Sequence, residues 1–271
     1  MRVKKRLDVL LAERGLAESR ERARALVMSG RVFAGGNRAD KPGMQVDDEV
    51  AVEIRGGLEY VSRGGKKLEK AISFFGASPD GKVCIDCGAS TGGFSDCLLK
   101  NGARLVYAVD VGYGQLAWSI RNDPRVVTME RTNIRYVTSD MFEERPELAV
   151  IDVSFISLAL VLPVIQELLT VSGEALCLIK PQFEAGRENV GKKGVVREPG
   201  THQAVLEAFA RYAEQSGFHI KGLTHSPIKG PEGNIEYLGW LRREDEGETV
   251  DIGGVVAGAH SELGGAGGII I

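Results

Sequence analysis

No stretch of this chain is both long enough and apolar enough to cross a bilayer. The longest apolar run, Phe155 to Leu169, is broken by Ser157, Pro163, Gln166 and Glu167, whereas a spanning helix needs about 20 predominantly apolar residues. The basic start, Met1 to Arg6, is followed by an amphipathic helical pattern and not by an apolar core, so no secretory signal is expected. Cysteine is scarce, with four residues at positions 84, 87, 97 and 177. Cys84 and Cys87 form a C-x-x-C, but neither a second pair nor a spaced histidine pair supplies the other ligands of a structural zinc site. The two lie along a strand pattern, not at the helix start where a redox pair sits. Buried thiols in a reducing, cytoplasmic setting are expected, with no metal. Two nucleotide signatures are missing as well. G-x-G-x-x-G would need glycine at 90, which is Ser, and no lysine stands where a phosphate loop would place one. A dinucleotide or triphosphate cradle is therefore not expected.

What is present is an ordinary globular composition with an uneven charge map. Of 271 residues, 43% are hydrophobic and 26% charged, which suits one large or two modest domains. The net charge is -3, yet residues 1–70 carry 16 Lys/Arg against 11 Asp/Glu, and residues 244–271 carry six acids and no Lys or Arg. Positive charge gathered at the N-terminus points to an anionic partner there.

The stretch 83–94, V-C-I-D-C-G-A-S-T-G-G-F, runs from an apolar segment ending in Asp86 through a small-residue loop into a helical pattern. Strand, tight turn and helix start form the ligand-binding corner of an open α/β sheet. The alternation continues downstream. Strands are predicted at 83–87, 105–110, 125–129, 147–152, 174–180, 218–224 and 235–241, and helices near 94–101, 114–121, 158–170 and 201–216. This order predicts a mostly parallel sheet covered on both faces. Only residues 226–234 separate the last two strands, too few for a crossover helix, so an antiparallel hairpin is expected at the sheet edge. A further helix is predicted from Ser62 to about Phe75, with Lys67 beside its apolar stripe and partly buried.

Upstream, Leu7, Leu10 and Leu11 recur at helical spacing, Gly15 ends that helix, and Ser19 can cap a second over 20–29. Short strands are expected near 31–34 and 49–54. R-L-D-x-x-L, S-R-x-x-A, G-x-V and D-x-V in this order resemble the S-four-type RNA-binding module, a small α+β domain. The resemblance implies that Arg6, Ser19, Arg20, Arg22, Arg24, Lys41 and Pro42 lie against RNA phosphates. Such contacts are electrostatic and largely independent of base sequence. Residues 1–55 are assigned to this domain, and 56–61, with Gly56 and Gly57, to a linker.

Ligands of a doubly wound sheet bind at the carboxyl ends of its strands. Those ends hold Asp86, Asp110, Asp152 and Lys180, with Glu236 on the late hairpin. The acid followed by G-A-S-T-G-G-F resembles motif I of S-adenosylmethionine-dependent methyltransferases. The resemblance implies that Asp86 serves the ammonium end of the cofactor and that Gly88, Ser90, Thr91, Gly92, Gly93 and Phe94 wrap its methionine part. Asp110 would accept the ribose hydroxyls, and Asp152 would border the cofactor. Asn133 would meet adenine or ribose, with helix capping as its other reading.

Lys67, Asp152, Lys180 and Glu236, in that order, resemble the tetrad of FtsJ-type ribose 2′-O-methyltransferases. The wider match is to the TlyA (hemolysin A) family. It rests on S-R-G-G-x-K-L at 62–68, D-C-G-A-S-T-G-G-F at 86–94, I-D-V-S-F-I-S-L at 151–158, K-P-Q-F-E at 180–184, G-V-V-R at 194–197 and G-N-I-E-Y at 233–237. It implies a class I S-adenosylmethionine-dependent methyltransferase domain over 62–243, with an antiparallel last strand, and methylation of a ribosomal RNA cytidine at its 2′-OH. Lys180 would stand nearest that hydroxyl, Asp152 would orient it, and Lys67 and Glu236 would position substrate. The chemistry has need of such a set, because an ammonium beside a weakly acidic hydroxyl stabilises the developing alkoxide. Ribosomal RNA or a ribosomal subunit is the implied partner of a cytoplasmic monomer or weak dimer. Arg63, Lys192 and Lys193 would add to the RNA grip. Base methylation fits less well, because neither N-P-P-Y nor a catalytic cysteine follows the fourth strand. A catalytically inactive RNA-binding factor and a membrane-active hemolysin are the competing functions. Residues 244–271, with eight glycines and six acids, are read as a disordered tail.

Overall fold

The computed structural model describes residues 4–17, 19–28, 30–39, 41–54, 59–191, 193–243 and 248–264. The chain divides into two compact units, Met1–Glu59 and Tyr60–Ile271. Gly56 and Gly57 of the expected linker, and Lys192, lie outside the described residues.

The first unit comprises β1 (Lys4–Arg6), α1 (Leu7–Glu13), α2 (Arg20–Met28), β2 (Val32–Ala34), β3 (Asn37–Arg38), β4 (Gln45–Asp47) and β5 (Val52–Ile54). β1 pairs antiparallel with β4, and β2 lies between β3 and β5 in a second small antiparallel sheet. Leu7, Leu10 and Leu11 of α1 share a core with Ala23, Leu26 and Val27 of α2 and with Val32 and Val46. Both helices match the expected spacing. Ser19 does cap α2, its Oγ accepting the Arg22 N–H at 3.1 Å. The strands β1, β3 and β4 are two or three residues long, too short for an alternating pattern to show in sequence.

The second unit comprises α3 (Gly64–Phe75), β6 (Val83–Cys87), α4 (Gly93–Lys100), β7 (Leu105–Val109), α5 (Trp118–Arg121), β8 (Val126–Met129), β9 (Leu148–Ile151), α6 (Leu162–Leu168), β10 (Glu174–Ile179), α7 (Pro181–Glu184), α8 (Pro199–Gln215), β11 (His219–His225), β12 (Tyr237–Arg242) and α9 (Ile252–Leu263). Seven strands form one sheet in the order β11-β12-β10-β9-β6-β7-β8. β10, β9, β6, β7 and β8 run parallel, while β12 is antiparallel to both its neighbours. Every residue of β6, β9 and β10 is buried. Apart from Asp86 in β6 and Glu174 at the start of β10 they read as apolar runs, as in a sheet covered on both faces. Alternate residues feed opposite cores: Val83, Ile85 and Cys87 join one cluster, Cys84 and the neighbouring Val106 and Val150 the other. All four cysteines are free and buried. No helix among the described residues is long and apolar enough to cross a membrane.

Three expectations need correction. First, the unit begins at Tyr60, not at 62. The Tyr60 ring is buried with Leu68 and Phe94, and its hydroxyl donates to Glu69 at 2.9 Å, so residues 60–61 belong to the folded core. Second, the helix expected over 114–121 is confined to Trp118–Arg121. Gly114 has φ +69° and Ala117 is extended, and neither conformation continues a right-handed helix. Third, residues 252–263 are a helix and not part of a disordered tail. Asp251 caps it, accepting the Gly254 N–H at 2.9 Å. Val256 and Ala259 are buried, and Ile252, Val255 and Leu263 pack beside them. The average composition of the segment concealed an apolar stripe at helical spacing.

Candidate active site

β6 delivers its chain into the turn 88–92, where Gly88 has φ +90°. A Cβ at Gly88 would lie 2.5 Å from the Asp152 carbonyl oxygen, and one at Gly93 would lie 2.0 Å from Ser62 Oγ. Only glycine lets this loop lie against the end of β9 and lets α4 start against the start of α3. Asp110, beyond β7, fastens the loop from the other side. Its Oδ2 accepts the Ser90 N–H at 2.8 Å and its Oδ1 the Gly112 N–H at 2.6 Å. Each oxygen keeps a lone pair for a ribose hydroxyl.

Asp86 is fully buried and lines neither of the two hollows of the site. Its Oδ2 accepts the Ser95 hydroxyl at 2.6 Å, while its Oδ1 is buried without a hydrogen-bond partner. Burial, reinforced by the carboxylates of Asp152 and Asp110, raises it to about 7 against the ordinary 3.8. The native state thus holds a proton on Asp86 that the unfolded chain has lost. This contribution to stability is fully present below about 4 and is lost as pH rises through about 7. Asp86→Asn is expected to remove this component from the pH profile of thermal unfolding. An unchanged profile would show that folding does not raise the Asp86 carboxyl.

Two ion pairs hold Lys67, Asp152, Lys180 and Glu236. Lys67 Nζ on α3 lies 2.5 Å from Glu236 Oε2, just ahead of β12, and both are buried. Lys180 Nζ, following β10, lies 2.5 Å from Asp152 Oδ1 beyond β9, and it donates a hydrogen bond to Ser154 Oγ at 2.9 Å. The Lys180–Asp152 contact is a charge pair without hydrogen-bond alignment, since that Oδ1 has no directed donor; the aligned bond goes to Ser154. All four residues line one hollow of about 750 Å³, together with Arg63, Gly88, Ser90, Thr91, Gly93 and Phe94. A second hollow of about 830 Å³ holds Asp110, Asn133, Gly112 and Gln115. Gly88, Ser90, Asp152, Ser154 and Phe155 line both.

Most expected cofactor residues thus meet at one sheet edge. Gly92 shapes the turn at φ +94° and lines neither hollow. Asn133 plays its capping role, with Oδ1 accepting the Arg135 N–H at 3.1 Å, and lines the second hollow as well. Sequence reasoning passed over Ser154, Phe155 and Phe183. Phe155 is 91% exposed at φ +64°, with its ring centroid 5.0 Å from that of Phe183. Phe155 stands in I-D-V-S-F-I-S-L and Phe183 in K-P-Q-F-E, which was the available signal.

Of the expected RNA contacts, Arg22, Arg24 and Lys41 are exposed. Arg6 and Arg20 are engaged by a residue the sequence did not single out. The fully buried Asp8 accepts from Arg6 at 3.0 and 2.8 Å and from Arg20 Nε at 3.3 Å. These bonds, that to Arg6 foremost, hold the Asp8 carboxyl down to about 2. Arg63 lines the first hollow, its Nη2 3.5 Å from the Lys229 carbonyl, and Lys193 is exposed.

A glycine turn after β6, an acid closing β7, and an antiparallel β12 beside a parallel sheet define a class I methyltransferase fold, preceded here by a small helical and stranded module. Comparison with known proteins agrees. The FtsJ-like methyltransferase family matches residues 60–243, and the S4 domain matches residues 5–52. The 16S/23S rRNA (cytidine-2′-O)-methyltransferase TlyA of Mycobacterium tuberculosis is 46% identical over 243 residues, covering 89% of this chain and 91% of the relative. Hemolysin A of Brachyspira hyodysenteriae is 44% identical over 234 residues, covering 86% and 98%. A solved structure of a hemolysin-named protein from Streptococcus thermophilus superposes with TM-score 0.77 at 49% identity, covering 97% of this chain and 98% of that one. The chain belongs to the TlyA family of FtsJ-like methyltransferases. Its cofactor is S-adenosylmethionine, and the residues present suit it: Asp110 borders one hollow with acceptor oxygens, and Gly88, Ser90, Thr91 and Gly93 line the other. The expectation that Asp86 meets the ammonium end directly is corrected, because its side chain is fully buried and lines neither hollow.

Proposed function

We propose that this protein methylates the ribose 2′-oxygen of a ribosomal RNA cytidine. The observation that supports it best is the meeting of two Lys–carboxylate pairs in one hollow that borders the Gly88–Gly93 turn. S-adenosylmethionine supplies a methyl group already activated by its sulfonium. The protein's own work is to hold the acceptor oxygen in line and to stabilise negative charge as it develops there. Lys180 Nζ is the donor for that charge, and Asp152 and Ser154 hold it by two contacts. Lys67 and Glu236 line the same hollow and position the nucleotide. Phe155 and Phe183 offer aromatic faces for a base. The S4 domain adds phosphate contacts through Arg22, Arg24 and Lys41, and the enzyme acts on ribosomal subunits in the cytoplasm.

The test is to incubate ribosomal RNA and intact subunits with the protein and methyl-labelled S-adenosylmethionine, digest to nucleosides, and identify the labelled product. Label in 2′-O-methylcytidine is expected. Label on a base, or cofactor binding with no transfer to any ribosomal substrate, would refute the assignment; the second result would leave an RNA-binding factor.

A further inference from the structure

His202 lies on α8, is fully buried, and lines neither hollow. Its Nε2 is 3.1 Å from the Val196 carbonyl oxygen, and its Nδ1 is 2.9 Å from Tyr237 Oη. A carbonyl only accepts, so Nε2 carries the proton and Nδ1 accepts from the tyrosine hydroxyl. Burial favours this neutral form, pushing His202 below the ordinary histidine value.

The two partners of His202 belong to two separate motifs, and those motifs are also joined to each other. The Val196 N–H donates to Asn234 Oδ1 at 2.9 Å, and Asn234 Nδ2 donates to the Gly194 carbonyl at 2.8 Å. Asn234 and Gly194 both line the hollow that holds the tetrad. A closed circuit results, running from Tyr237 through His202 and Val196 to Asn234 and back along the chain. Glu236, the partner of Lys67, lies on that last leg, between two anchored neighbours. The circuit is closed off by α9, which packs on α8 and β11. The His260 ring meets the His202 ring edge-on, with centroids 4.8 Å apart. α9 lies beyond residue 243, where the family match ends.

We propose that His202 is a positioning residue for Glu236 and for the 194–196 wall of the hollow, held in its working orientation by α9 through His260. The inference deepens the function proposed above and rests on it for its catalytic consequence. Removing the imidazole frees the Val196 carbonyl and the Tyr237 hydroxyl, while the Gly88–Gly93 turn keeps all its contacts.

The experiment compares the full-length protein with His202→Ala, His202→Gln and His260→Ala. Gln keeps a side-chain N–H able to reach the Val196 carbonyl. Amide hydrogen exchange and methyl-transfer kinetics are read on each. For His202→Ala, exchange at 194–197 is expected to be about tenfold faster with no change at 88–93. Its kcat is expected to fall about 10–100-fold, since small misplacements of reacting groups carry losses of that size, with S-adenosylmethionine affinity nearly kept. His202→Gln recovers most of both, and His260→Ala shows a smaller change in the same direction. Unchanged exchange at 194–197 would overturn the inference, as would equal acceleration across 88–93 or a parallel loss of cofactor affinity. If His202→Ala does not fold, His260→Ala and His202→Gln decide by the same readouts. If the wild-type protein transfers no methyl group, the exchange result still decides the positioning role, and only the proposed function fails.

Discussion

Lys180→Ala is expected to lower methyl transfer to RNA by about 10²–10³-fold while leaving S-adenosylmethionine affinity nearly unchanged. Losses of that size follow removal of one donor aimed at developing charge, and Lys180 is the cation that Asp152 and Ser154 both hold. The cofactor turn 88–93 draws on α4 and on Asp110, not on Lys180. A donor that acts only in the transition state should appear in kcat more than in binding. Lys180→Arg keeps the charge but presents a planar fork in place of a compact ammonium, and it is expected to recover only part of the rate. The measurement is single-turnover transfer of labelled methyl alongside calorimetric cofactor binding. A rate within a few-fold of wild type for Lys180→Ala would remove Lys180 from the mechanism.

Lys67→Met has the largest expected effect on stability. It leaves Glu236, whose side chain is 1% exposed, without its counter-charge. Breaking a buried pair from one side costs about 3–5 kcal/mol, because the remaining charge is still desolvated. The double variant Lys67→Met/Glu236→Gln is expected to regain most of that loss, since two neutral groups carry no such penalty. Both variants should be inactive if the pair positions substrate. Denaturant unfolding of the two single variants and the double variant gives the coupling directly. A loss below about 1 kcal/mol for Lys67→Met would mean that the pair is hydrated like a surface ion pair.

The parallel core of the second unit was legible because every residue of β6, β9 and β10 is buried, and such strands are written as apolar runs, here with Asp86 and Glu174 as the two charged members. The antiparallel β12 followed from a connection too short for a helix. Motif order put Lys67, Asp152, Lys180 and Glu236 forward as a set, and the structure brings them together as two ion pairs. Other features were hidden for identifiable reasons. α9 was lost in a glycine-rich, acidic average, although its apolar residues keep helical spacing. Asp8 stands inside R-L-D-x-x-L without an assigned role, yet it binds Arg6 and Arg20. His202 sits in an amphipathic helix with nothing to mark it. Its importance comes from Val196 and Tyr237, 6 and 35 residues away.

By itself, the sequence determined the elements whose signal is local: the strand-turn-helix at 83–94, the alternation that makes the sheet, and the capped helices of the first unit. Periodicity, glycine and capping act over a few residues, so they can be read without knowing the partner. Only the tertiary structure decided how close each lysine stands to its carboxylate, which arginines are already engaged, and that Asp86 is sealed away with one oxygen unmatched. Those outcomes depend on distances between residues far apart in the chain and on the loss of water around them. Desolvation and charge pairing are properties of the packed neighbourhood, and no short window of sequence contains it.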